Sequence, residues 1–529
     1  MIRRCKLAQG LLLVSLLPAC AWSQVPGLEQ VDGLLKRGQA TGSLEEQAEK
    51  ARFDSVAEGP APVAAGSAQN PETGPGMSLA NKAIFFEERT RQEHRPWFGL
   101  IVSRDLDESG NLMRYSSLGD AAIWTGTYIA SQAMRYAVTR EPAALQGMEE
   151  SLWGFSALHE ITEIPGLIAR VLVPRDYAEA NSLTNNPDWH AGHGKYEGWY
   201  WKGELSYDQY TGYLFGICKA WPFIHDPALR AALKEVLRAI GHHIMEHDMR
   251  IEGAGTFLDF RANYFYQDRG PGFIKSIPLP PLRAGNALDG LHYLRVCASL
   301  TEDPALQAYY ENEMVLKREM DVQVLNAGPQ YFPEWLKEHQ RWAEKIARFE
   351  WGDDVQVRPE ALRSDISANL SHMAFHDLLA LETDPMLRDN YAGAFHKVHQ
   401  VVEGEGNTFW NFLYAASLGA SPREIEAGVD SLKRFPTARF TGAMTNSSDP
   451  SLPKDKAVQA TLYKPGQAPY GWLAKTPLPF DKRVLHAAFP WQHNPYEMDA
   501  PADPTQGSGA GYLVAYWMGR YYGYVGPAD

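Results

Sequence analysis

The chain has 529 residues, 45% of them apolar, with 15 Trp, 25 Tyr and 21 Phe, so it can bury a large core and is not disordered as a whole. A formal charge of -14 with no cluster of Lys and Arg excludes a nucleic-acid partner, because phosphate binding needs concentrated positive charge. A small or neutral substrate fits this balance, and 12% aromatic residues suit a carbohydrate or a thick helical core equally well.

Arg3, Arg4 and Lys6 precede the short apolar run LLLVSLL at 11–17, which is the pattern of a secretory signal peptide and too short for a spanning helix. Two exits compete. Ala21-Trp22-Ser23 offers cleavage before Gln24, whereas Leu17-Pro18-Ala19-Cys20 is similar to a bacterial lipobox, with Cys20 as the lipidated residue and a poorly matching proline. The expectation is a signal over 1–23 and an exported protein, periplasmic or secreted, or an outer-membrane lipoprotein that touches the membrane through Cys20. Residues 24–78, rich in Gly, Ala, Pro, Ser and Glu, read as a flexible tether, with the folded body over 79–529. Cys218 and Cys297 fall in apolar helical stretches and read as buried free thiols rather than a disulfide.

Along the body one phrase recurs: VTREPAAL, FIHDPALR, LTEDPALQ, LETDPMLR and LGASPREI, around Pro142, Pro227, Pro304, Pro385 and Pro422. An acidic or Ser residue followed by Pro is an N-cap and a first helical position, where the missing N–H costs nothing. Each phrase therefore predicts a tight turn between two helices: 118–138 with 142–163, 208–223 with 227–248, 285–300 with 304–325, 364–382 with 385–402, and 408–419 with 422–434. The C-terminal YLVAYWMGRYYGYV predicts a further helix, which pairs with 79–91 to make a sixth hairpin. Hairpins repeated in this way stack and close into a ring. The short Pro turns then gather at one end, and the connections 164–207, 249–284, 326–363 and 435–510 at the other. Loops of that length are usually functional.

Paired helices, Glu/Thr-Asp-Pro turns and first helices that open on an acidic residue, as in GDAAIWTGTYIASQAMRYAVT, resemble the six-hairpin glycosidase-like superfamily. WKGELSYDQYTGYLFGI and YWMGRYYG are similar to motifs of its bacterial exported members. The resemblance covers about 80–529 and implies an all-α, (α/α)6 toroid with its long loops at one end. It also implies chemistry on sugars, since the superfamily holds glycoside hydrolases, polysaccharide lyases and epimerases. Fold likeness alone does not choose among them.

The site of such a toroid is a cleft where the long loops gather over the first-helix N-termini, which present free N–H groups. Asp120, Asp208, Asp289 and Asp365 open those helices, with Glu204 a turn ahead of Asp208; capping is the competing use of each. Glycoside hydrolysis needs two carboxyls about 5–10 Å apart, one protonated and one ionised. Asp208 is the candidate base or nucleophile, and Asp120 or Glu204 the candidate acid. In the Gly-interrupted segment before Asp208, Trp189, His190, His193, Tyr196, Trp199 and Trp201 are candidate substrate-binding residues on a loop, as ring faces cover sugar C–H patches. Trp124, Asp365, Asn369 and His372 complete the candidate lining. A lyase would instead draw on the helical stripe Asn369, His372 and His376.

No metal or cofactor is expected. His190 and His193 lack a third ligand at a recognisable spacing. Asp105, Asp107, Ser109 and Gly110 match the first half of a calcium loop, but Ser116 stands where the bidentate Glu belongs, so a plain hairpin turn is the better reading. The expected function is an exported glycoside hydrolase that uses paired carboxylates on an oligo- or polysaccharide. A lyase or epimerase of the same fold, and a non-catalytic glycan-binding or envelope protein, are the alternatives.

Overall fold

The computed structural model describes residues 77–261, 284–327, 365–437, 443–458, 470–485 and 488–527, with Phe53, Arg358, Glu360 and Asp529. The chain divides into two units, Met1–Phe53 and Asp54–Asp529, and the architecture belongs to the second. The expected signal peptide, Cys20 and nearly all of the tether lie outside the described residues. Ser78, assigned to the tether from sequence, is the N-cap of the first helix, its hydroxyl accepting from the Asn81 N–H at 3.2 Å.

Helices α1 (Leu79–Glu93), α2 (Ala121–Thr139), α3 (Pro142–Glu160), the short α4 (Arg175–Ala180), α5 (Tyr207–Ala220) and α6 (Pro227–Glu246) form the first half of this unit. The second half holds α7 (Ala284–Thr301), α8 (Pro304–Tyr309), α9 (Met320–Ala327), α10 (Asp365–Leu381), α11 (Pro385–Gln400), α12 (Thr408–Leu418), α13 (Pro422–Arg434) and α14 (Ala510–Tyr521). Packing closes a ring of six inner helices: α2 on α5, α5 on α7, α7 on α10, α10 on α12, α12 on α14, and α14 back on α2. Outside them lie α1, α3, α6, α8, α11 and α13: α3, α8, α11 and α13 against the inner helix to which a short turn ties each, α6 against α7, and α1 against α14. The fold is therefore an all-α ring of six hairpins, as the Pro phrases predict.

Those phrases work by the expected chemistry. Asp226, Asp303 and Asp384 each accept a backbone N–H at the start of their helix, Ser421 and Glu424 form a capping box, and all five prolines sit in the first turn. Glu141, before Pro142, makes no such bond. Aromatic residues tie the layers: Phe155 of α3 stacks on Tyr213 of α5 at 4.1 Å, and the Tyr213 hydroxyl donates to the Phe155 carbonyl at 2.8 Å.

Short antiparallel strands occupy the long connections. Strands β1 (Ser103–Leu106) and β2 (Leu112–Ser116) form a hairpin, and β3 (Leu172–Pro174), β4 (Trp189–Ala191) and β5 (Trp199–Lys202) make a sheet with β5 in the middle. A second hairpin joins β6 (Arg250–Gly253) to β7 (Thr256–Asp259). The calcium-like segment is the β1–β2 turn: Asp107 accepts the Asn111 N–H at 2.8 Å, and buried Asp105 pairs with Arg114 at 2.8 Å. Cys218 and Cys297 are free thiols on α5 and α7.

Candidate active site at the N-termini of the inner helices

The inner helices α2 and α5 run parallel and touch backbone to backbone. A Cβ on Gly126 would stand 1.8 Å from the Gly212 carbonyl oxygen, and one on Gly212 would stand 2.5 Å from the Ile123 Cα, so only glycine permits this approach. Gln209 then spans the gap: its Oε1 accepts the Ile123 N–H at 3.1 Å and its Nε2 donates to Asp208 at 3.2 Å. This fixes the start of α5, and with it Asp208, beside the start of α2, where Asp120 stands.

Neither carboxylate acts as an N-cap side chain, though first-turn N–H groups bear on Asp208. Asp120 occupies the N-cap of α2, and Asp208 lies in the first turn of α5 behind Ser206; neither helix has a side-chain cap. Both residues are half-buried. Burial, and then the charge of Asp208, raise the Asp120 carboxyl to about 6, against the pull of Arg170 and Lys202. Burial also raises Asp208, opposed by the Arg170 guanidinium and the Gln209 bond.

A third carboxyl joins them from α7. Asp289 is 5% exposed and lies 3.4 Å from the Thr211 hydroxyl; burial raises it to about 8, and the Asp208 charge adds to the rise. The charge of Asp208 thus acts on a neighbour on each side. Asp120 is held near 6 and Asp289 near 8, and in both the charge of Asp208 adds to the rise.

Two cations border Asp120 and Asp208, and each also has a partner elsewhere. Arg170 donates from Nε to the Glu204 carbonyl at 2.7 Å and from Nη1 to the Gly119 carbonyl at 3.1 Å, which locks the loop before Asp120 to the loop before Asp208. Lys202 pairs with the Glu204 carboxylate. Glu204, the alternative candidate acid, is thereby held against a cation. Arg170, Lys202 and Gln209 were not among the sequence candidates; the signal for Arg170 is a lone cation inside the apolar run GLIARVLV.

The aromatic candidates lie differently from the loop expectation. Trp189 and Trp201 are buried in the β3–β5–β4 sheet, paired with Lys202 and His190 across the strands. Trp199 packs edge-on against Phe98 at 4.7 Å, and buried Tyr196 donates to Glu160 at 2.9 Å. His190 lies on Trp201 at 4.4 Å, and exposed His193 faces Glu163. The intervening glycines break a helix, as expected, but they release strands rather than an open loop, and pairing turns the rings inward. Trp124 is buried as well, stacked on Phe489 at 4.3 Å.

The remaining candidates sit across the ring from α2. Asp365 is 8% exposed at the start of α10; Asn369 accepts from the Trp410 indole at 2.5 Å, and His372 is enclosed between Ala368, His399 and Trp410. Burial keeps His372 neutral, well below the usual imidazole range. Asn369 and His372 are core residues joining α10 to α12 and α11, not substrate contacts.

A cavity of about 800 Å³ opens elsewhere, between the end of α6 and the β6–β7 hairpin, lined by His242, His243, His247, Glu246 and Glu252 among others. Its His243 is engaged at both nitrogens, by the Pro165 carbonyl and the Glu252 N–H. None of the three aspartates lines it. Among the described residues no group of three His, Cys, Asp or Glu side chains is placed to hold a metal ion.

No family model matches the chain, and no curated protein matches it. Among solved structures, the crystal structure of unsaturated glucuronyl hydrolase specific for heparin matches with 10% identity and a TM-score of 0.37, over 84% of this chain and 96% of that one. By its own helix packing, the chain is a six-hairpin (α/α) toroid with three neighbouring aspartates at one end.

Proposed function

We propose that the chain is a carbohydrate-active enzyme that hydrolyses a glycosidic bond at the N-terminal end of the inner helices. In this reading Asp208 is the ionised carboxylate that acts on water or on the anomeric carbon, and Asp120 is the acid that protonates the leaving oxygen. One observation carries it: two carboxyls at the starts of adjacent inner helices, of which Asp120 is raised to about 6 by burial and by the charge of Asp208. Two carboxyls driven apart in proton affinity by one environment are what acid–base cleavage of a glycoside requires. The lyase alternative loses its support in Asn369 and His372, which are enclosed.

The test is to incubate the mature protein with neutral and anionic polysaccharides and analyse the products by mass. Shortened chains that have gained one water per cut support hydrolysis. Unsaturated products would replace it with elimination, and ligand retention without products would make the protein a glycan binder. Export is proposed from the N-terminal pattern alone; recovery of the native protein in the cytoplasmic fraction would remove it.

A further inference from the structure

We propose that Asp289 is a positioning residue of this site that carries its proton at neutral pH, so that Asp208 meets a neutral carboxyl on its α7 side. The inference rests on the reading of Asp208 as the ionised member, and its geometry comes from α7 rather than from the Asp120–Asp208 pair. Asp289 is 5% exposed, two turns into an inner helix, beyond the reach of the free N–H groups of the first turn. Among the described residues, the groups that act on it are uncharged or negative. From α5 come the Thr211 hydroxyl, at 3.4 Å, and the Asp208 carboxylate; Tyr207, at the head of α5, and Tyr293, one turn along α7, are the phenols that feel its charge.

These groups form a chain. The Thr211 and Tyr293 hydroxyls are 2.9 Å apart, and Tyr293 donates to the Tyr207 carbonyl at 2.5 Å. Tyr293 has therefore committed its proton to a backbone oxygen, which makes its own oxygen the acceptor for Thr211. A Thr211 hydroxyl that donates to Tyr293 is not available to donate to Asp289. An ionised Asp289 would lack a donor at that contact, whereas a protonated Asp289 can donate to the Thr211 oxygen. Burial and the Asp208 charge raise Asp289 to about 8, and a Thr211 hydroxyl that donated to it would pull the other way. The cations from neighbouring elements, Arg170 and Lys202, act on Asp120 or Asp208.

The experiment compares the full chain with Asp289→Asn by thermal unfolding from about pH 4 to about pH 8. An Asp that stays protonated in the folded state and ionises in the unfolded one costs more stability as pH rises. The midpoint of the Asn variant should accordingly climb relative to the parent across this range, and parallel midpoints would overturn the proposal. If the variant does not fold, infrared spectra of the parent decide: a buried protonated-carboxyl band that persists at about pH 7 and disappears above about pH 8 supports it, and no such band overturns it. Both readouts are independent of glycan cleavage. In an active preparation, Asp289→Asn should leave the pH of the Asp120 limb in place, whereas loss of an ionised neighbour would lower it.

Discussion

Aspartates are buried at both ends of the inner helices, and the two ends treat them in opposite ways. Toward the C-termini, Asp377 of α10 is fully enclosed, with Lys219 of α5 at 2.5 Å and His292 of α7 at 2.9 Å. Burial alone would raise its pKa, but these partners outweigh burial and hold it below the ordinary range. Toward the N-termini, Asp120 feels Arg170 and Lys202 and Asp208 feels Arg170, cations that also bind the Gly119 and Glu204 carbonyls and the Glu204 carboxylate. There burial wins, and two carboxyls are held near 6 and 8. One end is balanced and joins three inner helices; the other is left unbalanced, which costs stability and keeps protons available for chemistry.

The largest expected difference between the ends is in turnover. Asp208→Asn should reduce cleavage of whichever glycan is hydrolysed by about a thousandfold or more while the thermal midpoint holds or rises. A variant with more than a tenth of parental turnover would remove Asp208 from the chemistry. Asp377→Asn should do the reverse. It leaves the Lys219 ammonium enclosed without its counter-charge, at a cost of about 3–5 kcal/mol in chemical denaturation. Acid separates the ends as well. The contribution of Asp377 is present above its unfolded pKa and is lost as pH falls through its depressed folded value, whereas the penalty at Asp289 is relieved over about pH 8 to about pH 4.

A smaller effect is expected where α2 meets α5. Gly126→Ala should cost about 1–3 kcal/mol by forcing the helices apart. Because Gln209 spans the same gap, the variant should also lower the Asp120 limb of the pH–rate profile below about 6 as the charges separate. A destabilised variant with an unmoved limb would show that the glycine contact supports the fold without setting the pair.

The hairpins were legible in the sequence because their signal is local. An N-cap carboxylate or serine followed by proline is satisfied within one turn, and three Asp and one Ser make the predicted side-chain cap. Asp120 and Asp208 were legible as helix openers for the same reason. What the sequence could not order is contact between elements. Trp189 and Trp201 have the composition of a sugar platform, but β5 lies between β3 and β4, and strand pairing over the ring buries them. Arg170 joins the loops before Asp120 and Asp208 through backbone carbonyls, which have no residue signature. Asp289 reads as one more acid opening a helix; only burial beside Asp208 distinguishes it.

The central claim is that Asp208 ionises first and sustains the proton on Asp120. The most direct measurement is a ¹³C carboxyl titration of Asp120 in the parent and in Asp208→Asn. Titration near 6 in the parent that falls in the variant, while burial keeps it above the ordinary Asp value, is the predicted result. An ordinary Asp titration in the parent, or a value that the substitution leaves unmoved, would contradict the account.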